Sequence, residues 1–436
     1  MVYQSPLVHA VELTGLSSGV TYYYRVADSC TVFQFTMPRF TLSDTSKSQE
    51  SLFPFSFGMI GDIGLTNVSM MTFSALEALE SDAVLIVGDL SYSDGWMNTW
   101  DSFGRAIQSL GSQTPLMTTG GNHELQSGEN WVSYQLRYLT PYSGSGSPDP
   151  VYWGREMGPV HVIALNSYAA YSNTSIQYRW LENYLSTHVN RDRTPWVVVM
   201  MHTPLYHSNT VHWKEGELMR LAMEPLLYAY GVDVVLSGHL HAYERTEPVY
   251  DNSLDPCGMT HLILGDGGNY EGEATPWRIE NTSTGAPVWS SFRESSFGVG
   301  SIVIVNSTHA QFSWHRHACG SSSSDAYYMN FSDSCFSPED NSEHAMETSD
   351  STWIVRPDSI TCPNRHTTTG YTPTSSTSSG NDDDSDGLSS TAVALIAVCC
   401  ILGILCLTLA GVIVYLYKKI RVKGSSDGTD LLQVKS

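Results

Sequence analysis

Val84-Leu85-Ile86-Val87-Gly88-Asp89-Leu90-Ser91-Tyr92 is an apolar run that breaks abruptly into a carboxylate and a phenol. A short run of this kind reads as a strand buried on both faces. A carboxylate just past the carboxyl end of such a strand sits where open α/β folds place their chemistry. The same grammar recurs along the chain. Phe55 to Ile60 runs into Gly61-Asp62-Ile63-Gly64, and Leu116 to Thr119 runs into Gly120-Gly121-Asn122-His123-Glu124. Trp196 to Met201 ends in His202, and Val232 to Ser237 ends in Gly238-His239-Leu240-His241. Taken singly, each is more often a turn than a ligand set. Five in one order, carrying oxygen and imidazole donors and no cysteine, point to a dinuclear site for hard cations.

The ordered blocks G-D-I-G, G-D-L-S-Y, G-G-N-H-E, M-M-H-T-P and G-H-L-H-A-Y-E-R resemble the purple acid phosphatases, within the calcineurin-like metallophosphoesterases. The resemblance runs from about Tyr3 to His317, and the tyrosine of the second block separates the purple enzymes from their relatives. It implies that Asp62, Tyr92 and His241 hold a ferric ion, that Asn122, His202 and His239 hold a divalent zinc, iron or manganese, and that Asp89 bridges them. It also implies a fold: an α/β (α+β) metallophosphoesterase β-sandwich flanked by helices, with the metals at the carboxyl ends of the strands. The implied reaction is that of an acid phosphatase, in which hydroxide on the Fe(III)–M(II) centre attacks a phosphate monoester. A nucleotide phosphodiesterase or pyrophosphatase on the same metal shell is the alternative within the fold. A catalytically inactive membrane glycoprotein is the alternative outside it.

Composition narrows the partners. Lys plus Arg number 22 against 44 Asp plus Glu, a formal net charge of −22. No basic run occurs in the first 380 residues, which argues against nucleic acid. Attraction for a small phosphate ester must then come from local cations, because the overall field repels anions. A G-K-[ST] phosphate loop is absent as well.

The two ends carry a different kind of signal. Residues 1–38 read as short strands, Val8 to Leu13, Tyr22 to Val26 and Val32 to Phe35, resembling the end of a fibronectin-III-like β-domain. A full sandwich of that type needs about seven strands, so the chain is expected to be truncated at its amino end. The catalytic domain is placed at 53–320, with an unassigned extension at 321–366. Residues 367–390 form a Ser/Thr-rich acidic stretch, expected to be a disordered stalk. Thr391 to Tyr417 is a 27-residue run without charge, long enough for a transmembrane helix, which needs about 20 residues. Lys418, Lys419, Arg421 and Lys423 follow it, so the positive-inside rule predicts a single-pass type I membrane protein with a cytosolic tail at 418–436. The ectodomain would then be extracellular or in the endolysosomal or vacuolar lumen. Within the tail, Asp427 to Leu432 fits a D-x-x-x-L-L signal that a sorting adaptor reads.

Export agrees with N-x-S/T sequons at Asn67, Asn173, Asn281, Asn306 and Asn330, the expected glycosylation sites. Cys30, Cys257, Cys319, Cys335 and Cys362 lie outside the apolar run, an odd number that leaves one thiol free or paired elsewhere. Met70 to Ser81 and Ile176 to Val189 are the helices expected between ligand strands. Asp266, in Gly265-Asp266-Gly267-Gly268-Asn269, reads as a turn carboxylate capping backbone, and His261, His315 and His317 as packed or surface histidines.

Two histidines are candidates for catalysis and substrate binding. His123 adjoins the ligand Asn122. Alignment with the family's plant-type members places their two downstream substrate-facing histidines at Val211 and His212, so only the second is kept. A loop histidine alone is ordinarily just solvated. The alignment gives His212 a role, with Glu215 three residues on to hold a neighbouring side chain. Of the two, His123 is the favoured donor of a proton to the leaving alcohol.

Overall fold

The structure, a computed structural model, describes residues 3–26, 30–39, 52–280, 282–317, 346–357 and 361–362. All belong to the first of two units into which the chain divides. The stalk, the apolar run at 391–417, the tail, and sequons Asn281 and Asn330 lie outside the described residues. Among the described residues no helix is long and apolar enough to cross a membrane.

At the amino end, β1 (Thr21–Tyr24) and β2 (Phe33–Thr36) form an antiparallel hairpin. Its registered pairs Tyr22–Phe35 and Tyr24–Phe33 stack their rings at 5.7 and 5.4 Å. The expected strand at Val8 to Leu13 does not form. Leu7 and Val11 are 85% and 81% exposed, and no described strand lies beside them to complete a ladder.

The catalytic chain then alternates. β3 (Phe55–Ile60) leads to α1 (Asn67–Ala78) and β4 (Ala83–Ile86); α2 (Asn98–Ala106) and α3 (Gln108–Gly111) precede β5 (Leu116–Thr118). After α4 (Val132–Arg137) come β6 (Trp153–Met157), β7 (Val160–Ala164), α5 (Ile176–Thr187), β8 (Trp196–Met200), α6 (Glu217–Ala229) and β9 (Val234–Ser237). The remainder is strand: β10 (Tyr243–Thr246), β11 (Val249–Tyr250), β12 (Ser253–Leu254), β13 (Thr260–Leu264), β14 (Ser290–Glu294), β15 (Gly298–Ile304), β16 (His309–His317) and β17 (Met346–Val355).

These strands build two sheets, one in the order β17-β16-β15-β3-β4-β5 and one in the order β14-β10-β13-β9-β8-β7-β6. The runs β3–β4–β5 and β7–β8–β9–β13 are parallel, β5 forming one edge of its sheet, and the other strands pair antiparallel. Period-2 alternation shows how the sheets stack. In β8, Trp196, Val198 and Met200 join the core shared with Phe55, Phe57 and Met59 of the other sheet. Val197 and Val199 point the other way, onto Trp180 and Leu181 of α5 and Met223 and Leu227 of α6. The mixed α/β sandwich with flanking helices is therefore as expected. Helix α1 starts three residues before its expected position because Thr66 caps it, in a capping box with Ser69.

Within the unassigned extension, residues 346–355 are part of the sandwich, as β17. β17 pairs along the whole of β16 and is fastened by Asp350, which accepts from Arg245 Nε at 2.7 Å and from Tyr243 Oη at 2.6 Å. Cys257 and Cys362 form a disulfide that ties the end of this segment to the loop before β13. Cys30 is exposed and has no disulfide partner among the described residues.

Candidate metal centre

All five ligand-bearing segments meet at one end of the sandwich. β3, β4 and β5 release Asp62, Asp89 with Tyr92, and Asn122; β8 and β9 release His202, and His239 with His241. The donors are thus sorted: every oxygen comes from the six-stranded sheet and every imidazole from the seven-stranded one. Leaving a strand so sharply requires unusual backbone, and Asp62, Asp89, Tyr92 and His239 all have positive φ, between 50° and 65°. Such conformations cost roughly 1–3 kcal/mol each and gather where geometry serves a site.

Two groupings follow from the distances. In the first, Tyr92 Oη lies 3.2 Å from Asp62 Oδ1 and 2.9 Å from His241 Nε2. In the second, His202 Nε2 lies 3.0 Å from Asp89 Oδ2 and 3.1 Å from Asn122 Oδ1. Asp89, His202 and His239 each offer an atom within 4.8 Å of the others. Both key imidazoles are oriented from behind. His202 Nδ1–H donates to the Val87 carbonyl at 2.8 Å, and His241 Nδ1–H donates to the Gly272 carbonyl at 3.0 Å. Each therefore turns Nε2 into the cluster, the arrangement that metal-binding histidines adopt.

The electrostatics ask for cations. Burial disfavours a charged His202 and His241, yet Asp89 and Asp62 push the first upward and Asp62 and Glu271 the second. For Asp89, burial pulls upward but His202 and His123 hold it well below the usual carboxylate range. Burial, with Asp62 and Asp89, drives the Tyr92 phenol far up, so only a strong Lewis acid would make it a phenolate. A buried cage of this sort, with hard oxygen and imidazole donors, fits a pair of metal ions.

Around the cage stand groups that the motif reading left without a role. Glu124 accepts from the backbone N–H groups of Asp89 (2.8 Å), Leu90 (2.8 Å) and Gly121 (2.9 Å), locking the two ligand loops together. Asp94 accepts from His123 Nδ1 at 2.5 Å and from Tyr270 Oη at 2.6 Å. Tyr168 Oη donates to Asn122 Oδ1 at 3.1 Å. Glu124 closes the third block and Asp94 stands two residues after the second; Tyr168 and Tyr270 come from loops that carry no local signal.

His123 fits its expected place. Its ring lies 4.0 Å from that of Tyr92, and Nε2 is 4.0 Å from Asp89 Oδ2 and 3.8 Å from Glu271 Oε1. Burial lowers its pKa, but the Asp94 hydrogen bond together with Asp89 and Glu271 carries it up to about 9. His212 stacks on His239 at 3.9 Å and bonds through Nδ1 to Glu215 at 2.9 Å. Glu215 also meets His239 Nε2 at 2.8 Å, so its carboxylate is engaged by two imidazoles.

The other singled-out residues stay outside. His261, His315 and His317 pack against Tyr206, Ser301 and Thr72, away from the ligands. Asp266 differs from expectation. It is fully buried, neither oxygen makes a well-formed hydrogen bond among the described residues, and the backbone N–H of Ser296 is the group that favours its charged form. Burial and the neighbouring Glu273 push it far up, towards the neutral acid.

The calcineurin-like phosphoesterase family model matches residues 55–243, and the model for the iron/zinc purple acid phosphatase-like protein C matches 258–325. Purple acid phosphatase 18 of Arabidopsis thaliana is 42% identical over 321 residues, covering 73% of this chain and 70% of its own. The chain belongs to the purple acid phosphatases. Purple acid phosphatase 1 of Ipomoea batatas is 38% identical over 345 residues, with 73% and 70% covered. A purple acid phosphatase from yellow lupin (Lupinus luteus) seeds shares the fold at a TM-score of 0.62 and 21% identity, covering 79% of this chain and 61% of that one. This purple acid phosphatase is accordingly a metal-dependent phosphatase with a dinuclear centre.

Proposed function

We propose that the protein hydrolyses phosphate monoesters at an Fe(III)–M(II) centre, M being zinc, iron or manganese. Asp62, Tyr92 and His241 would hold the ferric ion; Asn122, His202 and His239 would hold the divalent one; Asp89 would bridge. The observation that carries the reading is the convergence of Tyr92 Oη on Asp62 Oδ1 and His241 Nε2. When bound, the ion pair supplies Lewis acidity towards the phosphoryl oxygens. The chain's own residues do the rest. Asp94 grips His123 Nδ1 and leaves Nε2 turned towards the centre, charged in acid and able to protonate the departing alkoxide. His212, held by Glu215 and lying against His239, supports binding of the ester. Convergence of all seven ligand residues speaks against an inactive glycoprotein.

Location is a further part of the proposal. The described sequon residues Asn67, Asn173 and Asn306 are all exposed, as glycan attachment in an exported ectodomain requires. An anchor at 391–417 and an adaptor-read tail would then place the enzyme on the luminal or outer face of a membrane.

Metal analysis and visible spectroscopy of the purified protein test the centre. The expected result is about two ions per chain, one of them iron, with a visible absorption band from tyrosinate ligation. A colourless, fully active protein holding only zinc would overturn the iron assignment.

A further inference from the structure

The loop that presents His212 has a second side. Two positive φ angles, +54° at His212 and +67° at Lys214, turn successive residues in different directions. His212 and Glu215 go to His239 and the metal centre. Trp213 and Lys214 go to a cavity of about 440 Å³ behind the loop. The wall between is thin and fixed: a Cβ on Gly216 would meet the Pro204 carbonyl oxygen at 2.0 Å. None of the seven ligand residues, nor His123, His212 or Glu215, lines this cavity. It is a space separate from the reacting centre, of a size that small-molecule sites have.

Its lining has a definite chemistry. Tyr206, Trp213 and Trp289 supply flat apolar faces, and Arg278 lies over the Trp213 ring at 3.4 Å. The carboxylates present are already engaged. Glu217 takes both Nε and Nη2 of Arg220 at 3.0 Å, and Glu280 stands 3.5 Å from Arg278. Lys214 is different. Its side chain is exposed, its ammonium lies 5.9 Å from the centre of the Trp213 ring, and among the described residues it makes no salt bridge. In a chain of net charge −22, a cation outside any salt bridge beside aromatic rings is a local exception to the field.

We propose that this cavity binds a small organic anion with a ring for a body, the chemistry shared by a sugar phosphate and an aromatic carboxylate. The ring packs on Trp213 and Trp289, and the anionic group meets Lys214. Such a site acts beside the phosphatase centre and does not depend on which metals fill it.

The test uses the metal-loaded enzyme with inorganic phosphate present to saturate the reacting centre. Glucose 6-sulfate and 2-naphthoate are titrated separately, following tryptophan fluorescence. At least one probe is expected to bind saturably, with Kd of about 1 mM or tighter, indifferent to the phosphate. Lys214→Gln should weaken that binding about tenfold. Val288→Trp, at an exposed position of the rim, should block it. Both variants are expected to keep the parent's activity on p-nitrophenyl phosphate, which shows that fold and centre are intact. Binding of the sulfate ester alone identifies sugar phosphates as the ligand class, and binding of the naphthoate alone identifies aromatic carboxylates. No saturable binding of either probe, displacement by phosphate, or indifference to both substitutions would overturn the proposal.

Discussion

Gly121 and Asp89 approach each other so closely that a Cβ at Gly121 would stand 2.1 Å from Asp89 Oδ1. The Asp89 carboxylate occupies the space where any other residue would put a side chain. Gly121 has an ordinary extended φ of −108°, so the requirement is purely one of room. Gly121→Ala should therefore push Asp89 out of register while leaving the strands intact. Expected are an unchanged circular dichroism spectrum and a loss of bound metal. Displacing a group that positions ligands typically lowers metal affinity by about 10–100-fold. Metal content after dialysis against a graded chelator would check it; full retention would refute the packing argument.

His123 and Asp94 form the pair that we assign to the leaving group. His123→Ala should slow alkyl phosphates far more than p-nitrophenyl phosphate, whose leaving group needs no proton. General-acid help is typically worth about 10²–10⁴-fold, so the alkyl substrate should lose on that scale. Asp94→Asn should show the same discrimination in weaker form. Equal slowing of both ester classes, with the metals retained, would make His123 a phosphate-binding group instead.

Arg245 and Asp350 tie β17 to the interior of the other sheet through a bidentate pair at 2.7 and 3.1 Å, both partners nearly buried. Removing Asp350 leaves the buried Arg245 with only the half-exposed Glu247, 3.9 Å away. Asp350→Ala should cost about 3–5 kcal/mol of stability, measured by urea unfolding with the disulfide intact. A loss below about 1 kcal/mol, the range of surface ion pairs, would show that β17 is only laid on the edge.

His161 lies buried beneath α5, with Nε2 2.7 Å from Tyr184 Oη. Burial, with Arg191, lowers its pKa to about 3. A histidine depressed in the fold gains its proton on unfolding, so its contribution to stability is full above the unfolded value of about 6.5. It is lost as pH falls from there towards 3. The stability advantage of the parent over His161→Gln should shrink by about 1.4 kcal/mol per pH unit across that window. A gap that stays constant from pH 7 to 4 would mean that His161 takes up its proton as readily in the fold as in the unfolded chain.

The site was largely legible because each ligand strand is a short apolar run closed by glycine and a polar donor, a signal contained within ten residues. Sheet membership was not. Nothing near Asp62 or His202 says that β3 and β8 lie in different sheets, since both are buried on two faces and read alike. β17 escaped because Glu347, Thr348, Ser349 and Ser351 give it the composition of an edge, and its partner β16 lies beyond 318–345. The hydrogen bond from Tyr270 to Asp94 spans 176 positions and exists only once the strands have assembled. The Val8 to Leu13 strand was over-read for the opposite reason: alternation promises a face, but a strand also needs a neighbour to accept its hydrogen bonds.

The sorting of donors by sheet has a mechanical consequence. Each ion, in the proposed assignment, has oxygen ligands on one sheet and imidazole ligands on the other, so it rivets the two together at their carboxyl ends. The sandwich cannot slide or part there without surrendering both ions, and the ions cannot leave without loosening the sandwich. The rate of metal escape then becomes a clock for how often the two halves breathe apart.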